Sequence, residues 1–238
     1  MLTVIIPAAG KGTRLNLPYP KEILRLDKEQ ALIDYSFDFF RDYGRKDVEF
    51  VVVMNEEKLD VIKYLSSYKD RFNISFTFQN PKELEYTGAI KSARHLFGTH
   101  NVVLLPDTIM SLRPGVDLGE TVMRSLDTGF TFFYKKETDP AMLRTKGALA
   151  VNMNGQVTAY EDKPQDGFEK YNGYWCSFAF TEHAFDRSIA YMEKSTLRQP
   201  QTDDFKFVPI ANCQAIEVVD YKDLGTWDEI RRLLRDTI

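Results

Sequence analysis

The chain has 238 residues, enough for one large α/β domain or a domain with a small appendage. Its 43% apolar and 28% charged residues supply a substantial core and the polar balance of a globular surface. A formal net charge of −4 and a pI near 5.5 argue against broad nucleic-acid binding, which needs a basic face, while leaving room for a local basic pocket.

Leu2 to Ile6 reads as a buried strand closed by Pro7 and the small residues Ala8, Ala9 and Gly10. The start, MLTVIIPAAG, lacks the basic lead and long apolar stretch of a signal peptide. No apolar run approaches the ~20 residues of a bilayer span, so a cytoplasmic protein without a membrane partner is expected. Ala31 to Tyr43 carries Leu32, Ile33, Phe37 and Phe40 at helical spacing. Phe50 to Met54 predicts a strand, Glu57 to Tyr68 a helix and Ile74 to Phe78 a strand. Thr87 to Leu96 reads as a helix and Val102 to Leu105 as the strand after it. Such alternation predicts βαβ units and a mostly parallel sheet.

After about residue 125 the pattern changes. Phe130 to Tyr134, Ala148 to Asn152 and Trp175 to Phe180 predict strands with short polar connections, hence an antiparallel or mixed region. Asn154-Gly155 is a strong hairpin-turn signal. A helix from Phe185 to Lys194, a strand from Ala215 to Val219 and a closing helix from Trp227 to Leu234 complete the reading. The fold class is α/β: a Rossmann-like, mostly parallel sheet flanked by helices, with a smaller antiparallel region. No repeat, low-complexity tract or linker interrupts residues 1–238, so one domain is expected. Cys176 and Cys213 form no CxxC pair and have no neighbouring His, which leaves two reduced, partly buried thiols and no zinc site. His95, His100 and His183 read as surface or structural residues.

The most informative segment is Ala8-Ala9-Gly10-Lys11-Gly12-Thr13-Arg14-Leu15, followed by Pro20-Lys21-Glu22. It leaves the carboxyl end of the first strand, where α/β proteins bind ligands. Small residues let the backbone approach phosphate oxygens, and consecutive N–H groups can form an anion-binding concavity. Arg14 adds a planar fork for phosphate and Lys21 a compact charge. A dinucleotide fingerprint fails because residue 15 is Leu where a third glycine is needed, and the P-loop spacing is absent.

AAGKGTRL followed by PK resembles the signature of the sugar-1-phosphate nucleotidyltransferases, GxGTR followed by PK. Within that family it is similar to the glucose-1-phosphate thymidylyltransferases and the UTP–glucose-1-phosphate uridylyltransferases, and the PKEIL form looks more like the latter. The resemblance implies nucleotide contacts from Ala8, Ala9, Gly10, Lys11, Gly12 and Thr13, with Arg14 and Lys21 as catalytic cations. Later segments match in order. VVLLPD ends in Asp107, which the resemblance makes a ligand of Mg²⁺; Pro106 stands where many members have Gly. Tyr160-Glu161-Asp162-Lys163-Pro164 resembles the EKP segment, so Glu161, Asp162 and Lys163 are expected at the sugar phosphate, with Lys163 also catalytic. Asp162 replaces the usual Glu and shortens the reach by one methylene. Gly147 and Gly173 fall where members keep glycines lining the sugar pocket, although loop flexibility would explain them equally well. Lys222-Asp223-Leu224-Gly225-Thr226 resembles the DxGT segment and makes Asp223 the second metal ligand. Gln79 and Gly88 resemble base-reading positions, although QNPKELEYTGA is not a close copy of that segment.

What the resemblance implies is transfer of a nucleoside monophosphate, from UTP or dTTP, to a sugar 1-phosphate with release of pyrophosphate and with Mg²⁺ as cofactor. The nucleotide-binding half would be about residues 1–125 and the sugar-phosphate half about 126–238. The acceptor phosphate is already an anion, so no general base is needed; positioning and charge stabilisation carry the reaction. Other readings keep the fold with a different phosphorylated acceptor, including a cytidylyltransferase, or make the chain a nucleotide-sugar-binding regulatory subunit without turnover. The sequence leaves open assembly into a homo-oligomer.

Overall fold

A computed structural model describes residues 1–83 and 85–236; Leu84, within the segment resembling the base-reading positions, and Thr237 and Ile238 lie outside the described residues. The chain begins with β1 (Leu2–Pro7), α1 (Asp34–Asp38), β2 (Val48–Met54), α2 (Leu59–Leu65), β3 (Asn73–Phe78) and α3 (Glu85–Ser92). Next come β4 (His100–Val103), β5 (Thr108–Ser111), α4 (Leu118–Ser125), β6 (Phe130–Lys136), α5 (Pro140–Leu143) and β7 (Gly147–Val151). It ends with β8 (Val157–Asp162), β9 (Gly173–Phe180), α6 (Glu182–Thr196), β10 (Gln214–Glu217), β11 (Asp220–Asp223) and α7 (Trp227–Asp236). The α/β fold divides into two compact units. The first comprises Met1–Phe97, Val103–Ser111 and the chain from Asp220 onward; the second comprises Gly98–Val102 and Leu112–Val219.

In the first unit β1, β2 and β3 run parallel, with Val4 opposite Phe50 and Phe50 opposite Ile74. β1 and β2 are almost wholly apolar and buried, as parallel strands covered on both faces require. α3 packs across all three strands. Phe37 stacks on Phe50 at 4.1 Å between ring centroids, and Phe72 meets Phe50 edge-on at 5.0 Å. These rings form an aromatic core under the sheet.

The helix expected from Ala31 to Tyr43 shrinks to α1, and its backbone donors explain why. The Ala31 N–H bonds to Asp34 Oδ2 at 2.8 Å, while Leu32 and Ile33 donate to the carbonyls of Leu24 and Glu22 at 3.0 and 2.9 Å. Beyond Asp38, the N–H groups of Phe40, Arg41 and Tyr43 reach carbonyls three residues back, the tighter 3₁₀ spacing. The apolar residues keep a helical period, but the donors find other partners. The expected strand from Val102 to Leu105 starts earlier, as β4, and the Leu104 N–H continues along β1 to Ile5 O at 3.0 Å.

β5 and β11, four residues each, pair antiparallel with Asp223 opposite Thr108. Such short strands carry too few residues to show a period. α7 follows at once, and Leu224 and Ile230 pack with Leu15 and Leu32 in a satellite core.

In the second unit β10 runs parallel to β6, β6 antiparallel to β9, and β7 antiparallel to both β8 and β9. This is the mixed region expected past residue 125. Phe130, Phe132, Phe178, Phe180 and Phe185 are fully buried there. The β7–β8 hairpin turns at Asn154-Gly155, with Gly155 at φ 75°. Asn152 Oδ1 accepts from the N–H groups of Asn154 and Gln156 at 2.9 and 3.0 Å, fastening the turn. The short helices α4 and α5, absent from the sequence reading, each start on an aspartate cap, Asp117 and Asp139. Cys176 and Cys213 are unbridged and more deeply buried than expected; burial pushes both thiols up. Among the described residues no helix is long and apolar enough to cross a membrane.

Candidate active site

The glycine loop is pinned at its flanks and open between them. The Ala8 N–H bonds to Val53 O at 2.8 Å, so Ala8 is still part of the sheet and fully buried. Asn55 Nδ2 donates to Ala9 O at 2.8 Å, and the Trp227 indole N–H reaches from α7 to Leu15 O at 3.0 Å. Gly12 adopts φ 65°, where a side chain would be strained, and its carbonyl accepts from Leu15 and Asn16 at 3.2 and 3.4 Å. Gly10, Lys11, Thr13 and Arg14 remain exposed. They border a cleft of ≈ 550 Å³ together with Ala9, Gly12, Lys21, Gln79, Glu83, Tyr86 and Gly225.

Gly225 sits at a close approach. A Cβ there would lie 3.0 Å from both Arg14 Nη2 and Asp223 Oδ1, so the glycine admits guanidinium and carboxylate side by side at the cleft wall. Asp223 is held by its own turn, its Oδ1 accepting from Gly225 N at 3.0 Å. The Leu224 N–H donates to Asp107 O at 2.8 Å, so the β5–β11 ladder brings the two expected metal carboxylates to adjacent backbone positions. Mg²⁺ takes one or two carboxylates plus phosphate and water oxygens, and this pair fits that donor set. Among the described residues no cluster of three or more His, Cys, Asp or Glu could hold a metal by protein ligands alone.

Lys21 donates from Nζ to Asp107 Oδ2. Behind it lies a pair that sequence reasoning missed: Lys58 Nζ to Glu22 Oε1 at 2.6 Å, with side-chain exposures of 5% and 0%. Burial pushes the Glu22 carboxyl up and the Lys58 ammonium down, and each partly offsets the shift of the other. Glu22 Oε2 is buried without a hydrogen-bond partner among the described residues. Lys21 and Asp107 also act on Lys58 through their charges, so the four groups form one buried electrostatic cluster under the loop. Its sequence signal is Glu22 in the PKEIL segment, placed just before Ile23 and Leu24. Asn55, the residue after β2 at the sheet's carboxyl edge, was also missed.

Gln79 lies at the cleft, with its amide Nε2 donating to the carbonyls of Glu83 and Glu85 at 2.8 and 3.2 Å. Glu85 takes φ 59°, rare for a residue with a side chain. Gly88 is buried in α3, and a Cβ there would meet the Glu83 backbone at 2.6 Å; close packing explains it.

Gly147, Glu161, Asp162, Lys163 and Gly173 belong to the second unit. Gly147 opposes Asp162 across the β7–β8 ladder, and Gly173 opposes Leu149 across β7–β9. Loop flexibility does not account for either glycine. A Cβ at Gly147 would sit 1.9 Å from the Trp175 indole nitrogen, and one at Gly173 would sit 2.6 Å from Lys135 O. Asp162 is buried and its N–H donates to Ser195 Oγ at 2.8 Å. Lys163, exposed at φ 50°, donates its N–H to Lys146 O at 2.9 Å. Glu161 accepts from Lys170 Nζ at 3.2 Å and from the Tyr171 hydroxyl; burial, then that bond, raises the Tyr171 pKa.

The chain matches the Nucleotidyl transferase family over residues 3–237. No curated protein matches it. Several solved structures share the fold. A protein described as a glucose-1-phosphate thymidylyltransferase from Bacillus anthracis superposes with a TM-score of 0.75 at 18% identity, covering 99% of this chain and 96% of that one. A UDP-glucose pyrophosphorylase complexed with UDP-glucose gives 0.75 at 15% identity, covering 100% and 98%. A UTP-bound enzyme of that name from Acinetobacter baumannii gives 0.73 at 15%, covering 100% and 93%.

Proposed function

Because this chain belongs to the nucleotidyl transferase family, we propose that it transfers a nucleoside monophosphate from UTP or dTTP to a sugar 1-phosphate, releasing pyrophosphate. The observation that carries the reading is the cleft of ≈ 550 Å³ where Lys11, Arg14 and Lys21 of the glycine segment meet Gly225, whose missing side chain lets Arg14 and Asp223 approach. Solved structures of like fold include enzymes named for both UDP-glucose and glucose 1-phosphate chemistry.

An oxygen of the acceptor phosphate attacks the α-phosphorus in line; the bond from that phosphorus to the bridging oxygen breaks, and the electron pair leaves with pyrophosphate. The nucleophile is an anion at neutral pH, so the protein supplies position and charge rather than a base. Arg14 stabilises the leaving pyrophosphate, and Lys21 and Lys163 hold phosphate oxygens. The loop residues Gly10 to Thr13 cradle the triphosphate, and Gln79 meets the base. Asp107 and Asp223 would hold Mg²⁺, which would neutralise charge on the triphosphate. In the second unit Glu161, Asp162, Gly147 and Gly173 shape the acceptor's site. The enzyme is cytoplasmic in this reading.

A pyrophosphate-release screen of UTP, dTTP, CTP, ATP and GTP against a panel of sugar 1-phosphates with Mg²⁺ tests the proposal. Turnover with a pyrimidine triphosphate and a sugar 1-phosphate is expected. Release only with another phosphorylated acceptor, or tight nucleotide-sugar binding with no release, would replace it.

A further inference from the structure

We infer that Lys21 and a divalent cation compete for Asp107, so that the cation enters with the nucleotide rather than ahead of it. The inference rests on the reading that Asp107 is a metal ligand. Lys21 Nζ donates directly to Asp107 Oδ2, and the two side chains are only 14% and 13% exposed. Water therefore screens this contact poorly.

The backbone under both partners is held in place. The Lys21 carbonyl accepts from Leu24 N at 2.9 Å within a 3₁₀ turn, and Asp107 is tied to Leu224 at 2.8 Å. Glu22, the carboxylate next to Lys21 in sequence, is occupied by Lys58 at 2.6 Å. A bare cation approaching Asp107 would meet the Lys21 ammonium already on that carboxylate, and two like charges at one sheltered carboxylate repel strongly. A cation carried on a triphosphate changes the exchange: it brings Asp107 a new partner and brings Lys21 a phosphate anion at the same time. The cleft that Lys21 borders is the one lined by the glycine loop, so that anion arrives within reach.

The test is Mn²⁺ binding without nucleotide, followed by the electron paramagnetic resonance signal of free Mn²⁺. Lys21→Met and Lys21→Gln should each bind Mn²⁺ about tenfold or more tightly than the wild type, as expected when one like charge leaves a sheltered site. Lys21→Gln keeps an amide donor for Asp107, so it covers the case in which Lys21→Met does not fold. Lys11→Met removes a cation from the same cleft that is not paired with Asp107, and it should change affinity by less than about twofold. Equal affinity of the Lys21 variants and the wild type would overturn the inference, and so would an equal gain in Lys11→Met. Adding Asp107→Asn to Lys21→Met should abolish the gain. A gain that survives it would instead discard Asp107 as the ligand, a failure of the underlying reading that this arm identifies separately.

Discussion

Replacing Lys58 with Met should reveal what the buried cluster under the loop costs and how it is held. In the folded protein the Glu22 side chain is 0% exposed and its one strong partner is Lys58 at 2.6 Å. Its other oxygen has no hydrogen-bond partner among the described residues to compensate for the loss. Removing one member of a buried pair strands the other charge, which costs about 3–5 kcal/mol. Glu22 can escape part of that cost by binding a proton. Its folded pKa lies above the ordinary value of 4.5 because of burial, and losing Lys58 removes the main influence lowering it. The folded state therefore holds the proton more tightly than the unfolded chain. Stability should fall as pH rises from 4.5 to the raised folded value and return as pH drops through the same window, by up to about 1.4 kcal/mol per pH unit. The assay is urea unfolding followed by circular dichroism at about pH 8 and about pH 5.5, where Lys58→Met should be several kcal/mol less stable than wild type at the higher pH and partly recovered at the lower. The double variant Glu22→Gln/Lys58→Met, with no charge left to strand, should stay within about 1 kcal/mol of wild type. A Lys58→Met loss below about 1 kcal/mol at the higher pH, or one equal at both pH values, would refute the reasoning.

Arg14→Ala should lower kcat by about 10²-fold or more while leaving the unfolding transition in place, because Arg14 is exposed and its lost charge acts on the leaving group; near-normal pyrophosphate release would remove it from the mechanism. Asp223→Asn should shift the Mg²⁺ titration of activity to higher concentration, and an unchanged titration would count against its metal role. Gly147→Ala puts a methyl 1.9 Å from the Trp175 indole nitrogen, so thermal unfolding should show a loss of about 1–3 kcal/mol. A stability equal to wild type there would mean that Trp175 has room to swing away.

Much of the fold could be read from local pattern. Buried apolar runs marked β1 and β2, the Asn-Gly pair marked the β7–β8 turn, and the apolar spacing of Phe185 to Lys194 lay within α6. The failures have a common form. The Ala31 to Tyr43 stretch kept its apolar period, yet α1 is short because Leu24 and Glu22 took the donors of Leu32 and Ile33. β5 and β11 have four residues each and exist because each has the other. Gly147 and Gly173 matched glycines lining the sugar pocket of the resembled family, and loop flexibility explained them equally well in sequence, whereas an indole and a carbonyl leave no space for a side chain at either.

The amino-acid order alone determined which charged and small residues follow the first strand, and that Asp107 and Asp223 end apolar or turn-bound segments. Those are properties of neighbours along the chain, and periodicity and composition report them. Tertiary structure decided which charges meet: Lys21 with Asp107 across 86 residues, Lys58 with Glu22 across 36, and Arg14 beside Asp223 where Gly225 leaves room. No local signal can encode such partners, because an ion pair depends on where two distant backbones stop, and burial then makes that distance matter far more than it would in water.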